Sequence, residues 1–327
     1  MTTPPFAPPV WLRNPHLQSI LTSVLPRRWF VARRSRALVA ASRDVIVECG
    51  DGVRLLGHHA PCPGGRDELV VLLHGWEGSA ESQYVRSVAT ELRSIGYDVL
   101  RLNLRDHGPT HHLNPELFHS CRIAEVVGAI AEIATRFPSR RLALVGYSLG
   151  GNFALRVAIR APAAGIPLAQ VVAICPVLDP AHTMQCLEQG AWIYRNYFVL
   201  KWRRSLLRKR RAWPDLYDLE ELMESRRLTA MTEHLVRRYG GYGDIESYLA
   251  GYAITGDVLA PLTVPSHLLM ALDDPIIPAA DLARLATPPA LTIETVSHGG
   301  HCGFLDSLGG ASWADRRVLA ILGGVAA

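Results

Sequence analysis

The sequence predicts an α/β fold, with a mainly parallel, doubly wound sheet interrupted by a helical insertion. Three observations predict it. Short apolar runs alternate with helix-length amphipathic stretches from about residue 69 to residue 174, the pattern of strand–helix–strand units on a parallel sheet. Two further strand-length runs, 264–272 and 290–296, follow only after a helical, aromatic- and arginine-rich stretch over 181–256. Between an apolar run and a helix-like run lies Gly146-Tyr-Ser-Leu-Gly150, the setting of a sharp strand-to-helix turn with Ser148 at its apex.

Taken in order, residues 1–43 read as an N-terminal extension packed on the core. It comprises a proline-rich arm and then Asn14-Pro15, an N-cap followed by proline at the first helical position. The amphipathic stretch that follows runs to about Leu25. Arg27, Arg28, Arg33, Arg34 and Arg36 read as a solvated basic face, and His16 as a residue of a packed helix rather than a catalytic one. Residues 44–48 and 53–59, split by Gly50-Asp51-Gly52, form an opening hairpin. The alternation continues with strand 69–73, helix 82–95, strand 97–102, helix 119–136, strand 141–145, the Ser148 turn with its helix, and strand 170–174. The core thus divides into 44–180 and 257–327, with 181–256 inserted as a lid.

The chemistry follows from what lies past each strand end. Gly146 and Gly150 flank Ser148 because a side chain there would meet the neighbouring elements. After strand 264–272 come Asp273 and Asp274, and after strand 290–296 come His298 and His301. An acid and a histidine therefore sit at the carboxyl ends of successive strands, where open α/β sheets place their ligands. The acid is Asp274 or Asp273; Asp274 fits the spacing to Pro278 better. Upstream, strand 69–73 ends in His74-Gly-Trp-Glu-Gly-Ser79. Acyl transfer needs two N–H donors aimed at the developing oxyanion, and these are assigned to the backbones of Trp76 and Leu149. His74 reads as a structural residue that orients this loop.

These passages resemble the α/β-hydrolase superfamily, and within it the YheT-like branch (AB hydrolase superfamily, family four). Trp11-Leu-Arg-Asn-Pro-His-Leu-Gln-Ser-Ile20, His74-Gly-Trp-Glu-Gly-Ser79 and Gly299-Gly-His-Cys-Gly-Phe304 carry the branch-level similarity, and Gly146–Asn152 and Asp273–Pro275 fit it too. The resemblance implies Ser148 as nucleophile, Asp274 as acid and His301 as base. It also implies hydrolysis of short- to medium-chain or lipid-derived carboxylic esters, without a cofactor. Many relatives read roughly R-G-x-x-G after the strand that ends near residue 102. This chain has Arg105-Asp-His-Gly108 instead, so a wall of the pocket departs from the family pattern. Acyl transfer, thioester hydrolysis and phospholipid cleavage could use the same triad, and a non-enzymatic ligand-binding protein is the alternative from another class.

Composition narrows the field. Over 327 residues, 49% hydrophobic and 20% charged residues describe a globule with ample core, and a net charge of +4 does not by itself argue for nucleic acid. No apolar run reaches membrane-spanning length and no secretion signal opens the chain. Six cysteines without metal-ligand spacing read as a reduced, cytoplasmic inventory. Histidines 58–59, 111–112, 298 and 301 lack a metal-binding arrangement, so no metal is expected. Trp192, Tyr194, Tyr197, Phe198 and Trp202 are candidates to line an acyl site. The basic run Lys201 to Arg211 is either a solvated face paired with Glu220, Glu221 and Glu224 or a contact for an anionic membrane surface; nucleic acid is not expected.

Overall fold

A computed structural model of the chain describes residues 5–138 and 140–324; the first four residues of the proline-rich arm lie outside it. The N-terminal extension forms three short helices, α1 (Pro15–Leu21), α2 (Arg27–Arg34) and α3 (Arg36–Ala41). Asn14 caps α1 by accepting the N–H groups of His16 and Leu17, which satisfies two of the donors every helix start leaves free. The hairpin β1 (Arg43–Glu48) and β2 (Arg54–Ala60) leads into β3 (Glu68–Leu73), α4 (Gln83–Ser94), β4 (Asp98–Leu102), α5 (Ile123–Arg136), β5 (Arg141–Tyr147), α6 (Leu149–Arg160) and β6 (Leu168–Ile174). Five consecutive helices follow: α7 (Pro180–Gln189), α8 (Trp192–Ala212), α9 (Glu220–Glu224), α10 (Leu228–Arg238) and α11 (Ile245–Ala250). The chain then returns to the sheet as β7 (Ser266–Ala271) and β8 (Leu291–Val296) and ends in α12 (Trp313–Leu322).

The eight strands lie in the order β1-β2-β4-β3-β5-β6-β7-β8. β1, β2 and β4 pair antiparallel, and every pair from β4 through β3 to β8 is parallel. Alternation along the central strands separates two cores. On β3, Leu69, Val71 and Leu73 face α5 and α6, whereas Val70 and Leu72 face α4 and α12. The chain leaves β3 for β4 on one side and returns to β5 on the other. The reversal therefore opens a crevice at the carboxyl ends of β3 and β5, where such sheets bind ligands.

Two expectations are corrected here. The helix expected over 119–136 begins only at Ile123. The preceding residues are held as a turn: Tyr248 Oη accepts the Ser120 N–H, and the Ser120 carbonyl accepts from Arg156. The basic face expected in the extension is only partly solvated. Arg27 is buried, donating to the Gly310 carbonyl at 3.0 Å beside Asp315, and Arg34 pairs with Glu91.

Candidate active site

Ser148 occupies the turn between β5 and α6 with φ +53° and ψ −120°, a left-handed backbone that a non-glycine residue adopts only when its surroundings enforce it. Close approach explains the flanking glycines. A Cβ at position 146 would lie 2.1 Å from the Gly150 carbonyl oxygen, and one at 150 would lie 2.5 Å from that of His74. The turn is tied to its neighbours as well. The Ser148 N–H donates to the Ile174 carbonyl at 2.8 Å. Fully buried Asn152, one turn into α6, donates to the carbonyls of Val177 and Tyr252 and so fastens both ends of the helical insertion.

Of the residues singled out past β7 and β8, Asp274 and His301 fall into line with this serine. His301 Nε2 lies 3.0 Å from Ser148 Oγ, and His301 Nδ1 lies 2.8 Å from Asp274 Oδ2. The Asp274 side chain is fully shielded from solvent, and its other oxygen accepts the N–H groups of Ile276 and Ile277 at 2.8 and 3.0 Å. Those two donors fix the orientation of the carboxyl group. With Nδ1–H donating to Asp274, Nε2 is left as the acceptor facing the serine hydroxyl. The other acid and histidine sit together instead, with Asp273 Oδ2 3.6 Å from His298 Nδ1. Asp273 has a different task, accepting the Gly300 N–H at 2.9 Å.

Trp76 and Leu149 both border the cavity with Ser148. Among the hydrogen bonds of the described residues, neither backbone N–H has a protein acceptor. The loop carrying Trp76 is braced by two buried histidines. His74 donates from Nδ1 to the Gly75 carbonyl at 2.7 Å and accepts the Leu104 N–H at Nε2, 3.1 Å away. His107 donates from Nδ1 to the Arg105 carbonyl at 2.7 Å and accepts the Glu77 N–H at 3.1 Å. Each ring must be neutral, because its second nitrogen is an acceptor. His107 belongs to the Arg105–Gly108 stretch that departs from the family pattern, so the departure supplies a support for the loop beside the serine.

Burial lowers the pKa of His107 from its ordinary 6.5 to about 4, and that of His74 falls well below 6.5 for the same reason. The unfolded ring takes up a proton below about pH 6.5 while the folded ring does not. Stability from His107 is therefore complete above pH 6.5 and lost as the pH falls toward 4, by on the order of 3 kcal/mol. Urea midpoints should drop between pH 7 and 5, and His107→Asn should flatten that drop. An unchanged slope in the variant would contradict the neutral bridging ring.

Sequence reading missed the role of α1. His301 lies in a strained loop, with positive φ at Gly299, Gly300, Cys302 and Phe304. α1 holds it from outside: Ser19 Oγ accepts the His301 N–H at 2.8 Å and donates to the Pro15 carbonyl at 2.7 Å. Buried Gln18 donates to the Leu12 and Leu305 carbonyls and accepts the Leu305 N–H. His16 Nδ1 lies 2.9 Å from the hydroxyl of Tyr194 on α8, which ties the extension to the helical insertion.

The cavity above Ser148 measures about 730 Å³, and its wall is mostly apolar. Tyr194, Tyr197, Phe198 and Trp202 line it as expected, with the Trp76 ring stacked on Phe198 at 5.1 Å. Trp192 does not line it; that side chain is 67% exposed. Glu77, next to the Trp76 amide, also faces the cavity, and burial raises its pKa to about 7 against the opposing pull of Lys201. The basic run divides as well. Lys209 is fully buried, donating to Asp106 Oδ1 and to the carbonyls of Asn114 and Glu116, and Lys201 donates to the Glu77 carbonyl at 2.7 Å. Arg203 donates to the Ser225 carbonyl. Among the described residues, none of the run pairs with Glu220, Glu221 or Glu224.

Two clusters bring possible metal ligands together: Cys175, His301 and Cys302, and Asp179, His182 and Asp281. In the first, both ring nitrogens of His301 are already engaged, and burial pushes the Cys302 thiol well above its ordinary 9.0. In the second, Arg284 bonds both carboxylates and His182 bonds Asp281 at 2.8 Å.

Sheet order, elbow and crevice define an α/β hydrolase, and a model of the α/β hydrolase fold matches residues 68–308, so the chain belongs to that family. Within it the chain is YheT-like. It is 24% identical over 319 residues to "Putative esterase YheT" of Escherichia coli (strain K12), covering 96% of this chain and 91% of that one. It is also 23% identical over 329 residues to human "Monoacylglycerol lipase ABHD2", covering 94% and 76% respectively. The esterase Pf2001 of Pyrococcus furiosus shares the fold, with a TM-score of 0.55 and 16% identity over 99% of this chain and 96% of that chain. The esterase and lipase relatives support hydrolase activity on ester substrates. No helix among the described residues is long and apolar enough to cross a membrane.

Proposed function

We propose that the protein is a serine hydrolase of carboxylic esters with short- to medium-chain or lipid-derived acyl groups. One observation carries the reading: the continuous hydrogen-bonded line Asp274–His301–Ser148, with links of 2.8 and 3.0 Å, at the base of an apolar cavity. Ser148 Oγ attacks the ester carbonyl while His301 Nε2 takes its proton, and Asp274 holds the ring in the required tautomer and stabilises the imidazolium. The N–H groups of Trp76 and Leu149 receive the oxyanion. His301 then protonates the departing alcohol, and water, activated by the same histidine, cleaves the acyl-enzyme. Residues 181–256 serve as the lid over this chemistry. A cytoplasmic setting belongs to the same reading, supported by Cys49, Cys175 and Cys302 being buried as small apolar groups.

The test is a series of p-nitrophenyl esters of increasing acyl length. Each methylene buried in the cavity should contribute about 0.8 kcal/mol, a factor of about four in kcat/KM, until the cavity is filled. Preference for acetate, with longer acyl esters refused, would contradict an acyl-binding cavity.

A further inference from the structure

The rim of the cavity carries a surface that catalysis does not use. Ile193 and Tyr197 line the cavity, yet they are 40% and 44% exposed, so they stand at its mouth. They begin a stripe along the outer face of α8. At helical spacing, Leu200, Arg204, Arg208 and Arg211 continue it, all exposed. The stripe is apolar at the mouth and cationic beyond it. Across the mouth, Val24 and Arg28 also line the cavity while exposed. Beside them, Leu25 and Trp29 are 71% and 53% exposed.

Charge on the two segments that carry these residues is one-sided. No Asp or Glu occurs in residues 1–43 or 190–214. Among the described residues, no carboxylate pairs with Arg28, Arg204, Arg208 or Arg211. Large apolar side chains beside unpaired arginines, on helices around the opening of an apolar cavity, match the physics of a helix lying in a membrane interface. Nucleic acid would accept the arginines but gain little from exposed leucine and isoleucine, whereas an anionic lipid surface rewards both.

We propose that this rim, the outer face of α8 together with the α1–α2 corner, docks on an anionic lipid surface and sets the cavity mouth against it. The surface recognises phospholipid head groups bearing net negative charge, and the apolar side chains enter the acyl boundary.

The test uses the full chain carrying Ser148→Ala, so that no lipid is cleaved and docking is read separately from hydrolysis. Co-sedimentation is measured with vesicles of phosphatidylcholine alone and with roughly a third phosphatidylglycerol. Binding is expected only to the anionic vesicles and should disappear in about 1 M salt, where screening acts within a few ångströms. Arg204→Gln, Arg208→Gln and Arg211→Gln together should weaken it on the order of 100-fold, about fivefold per arginine near the surface. The pair Trp192→Asp and Leu200→Asp should abolish it. In the chain with Ser148 intact, neither set should change hydrolysis of a soluble short-chain ester, since none of these residues lines the cavity. Equal binding to neutral vesicles, binding unaffected by the arginine variants, or binding of RNA homopolymer with no vesicle binding would each overturn the proposal. So would light scattering showing that this face pairs two copies of the chain.

Discussion

If Ser148 is the nucleophile proposed above, Ser148→Ala is expected to lower kcat for ester hydrolysis by about 10⁶, as loss of the nucleophile does in Ser–His–Asp hydrolases. The fold should survive intact. Alanine keeps the Cβ that already packs near Gly75 and removes one oxygen, whose partner among the described residues is His301 Nε2. The left-handed backbone at 148 is imposed by the bonds from Ser148 N–H to Ile174 and from Asn152 N–H to the Ser148 carbonyl, which involve no side-chain atom of 148. Melting temperature should therefore stay near that of the parent while turnover vanishes. A variant that loses both would instead report unfolding, so circular dichroism and ester hydrolysis are measured on the same sample.

The second large effect is expected at Asp274. Asn can still accept the Ile276 and Ile277 N–H groups through its carbonyl oxygen, so the loop keeps its anchors. Its amide nitrogen, however, presents hydrogens to His301 Nδ1, which must then become the acceptor. Nε2 then carries the proton and points it at Ser148, which cannot be deprotonated. A fall of about 10⁴ in kcat with little change in KM is the expected outcome. Asp273→Asn supplies the contrast. Asp273 touches the Gly300 N–H rather than either ring nitrogen of His301, and Asn keeps that acceptor; a loss below about tenfold is expected, given what a slightly misplaced group costs. Equal losses at the two positions would show that the acid has been misassigned.

Much of this architecture is legible in the residues themselves. Alternation of apolar runs identifies the strands, and Gly146-Tyr-Ser-Leu-Gly150 locates the turn, because such patterns reflect local geometry. What could not be read are the supports that join distant stretches. Ser19 and Gln18 hold the loop of His301 across about 280 residues of chain, and nothing in their own neighbourhood announces a partner. Their only signal was the resemblance of Trp11–Ile20 to the family, which carries no role for either residue. His107 was visible as part of an unusual loop, but its bond to the Glu77 N–H depends on how two loops pack. Lysine counts mislead for a similar reason. Lys209 reads as one cation in a basic run, yet three inward-facing acceptors pull it into the interior.

Fluorophosphonate labelling followed by peptide mapping tests the central claim most directly. A phosphonyl adduct forms only on a hydroxyl activated by an adjacent base. One adduct per chain is expected, on Ser148, absent in Ser148→Ala and strongly slowed in Asp274→Asn. Failure to label the folded chain, or an adduct on another residue with ester turnover retained by Ser148→Ala, would contradict the account.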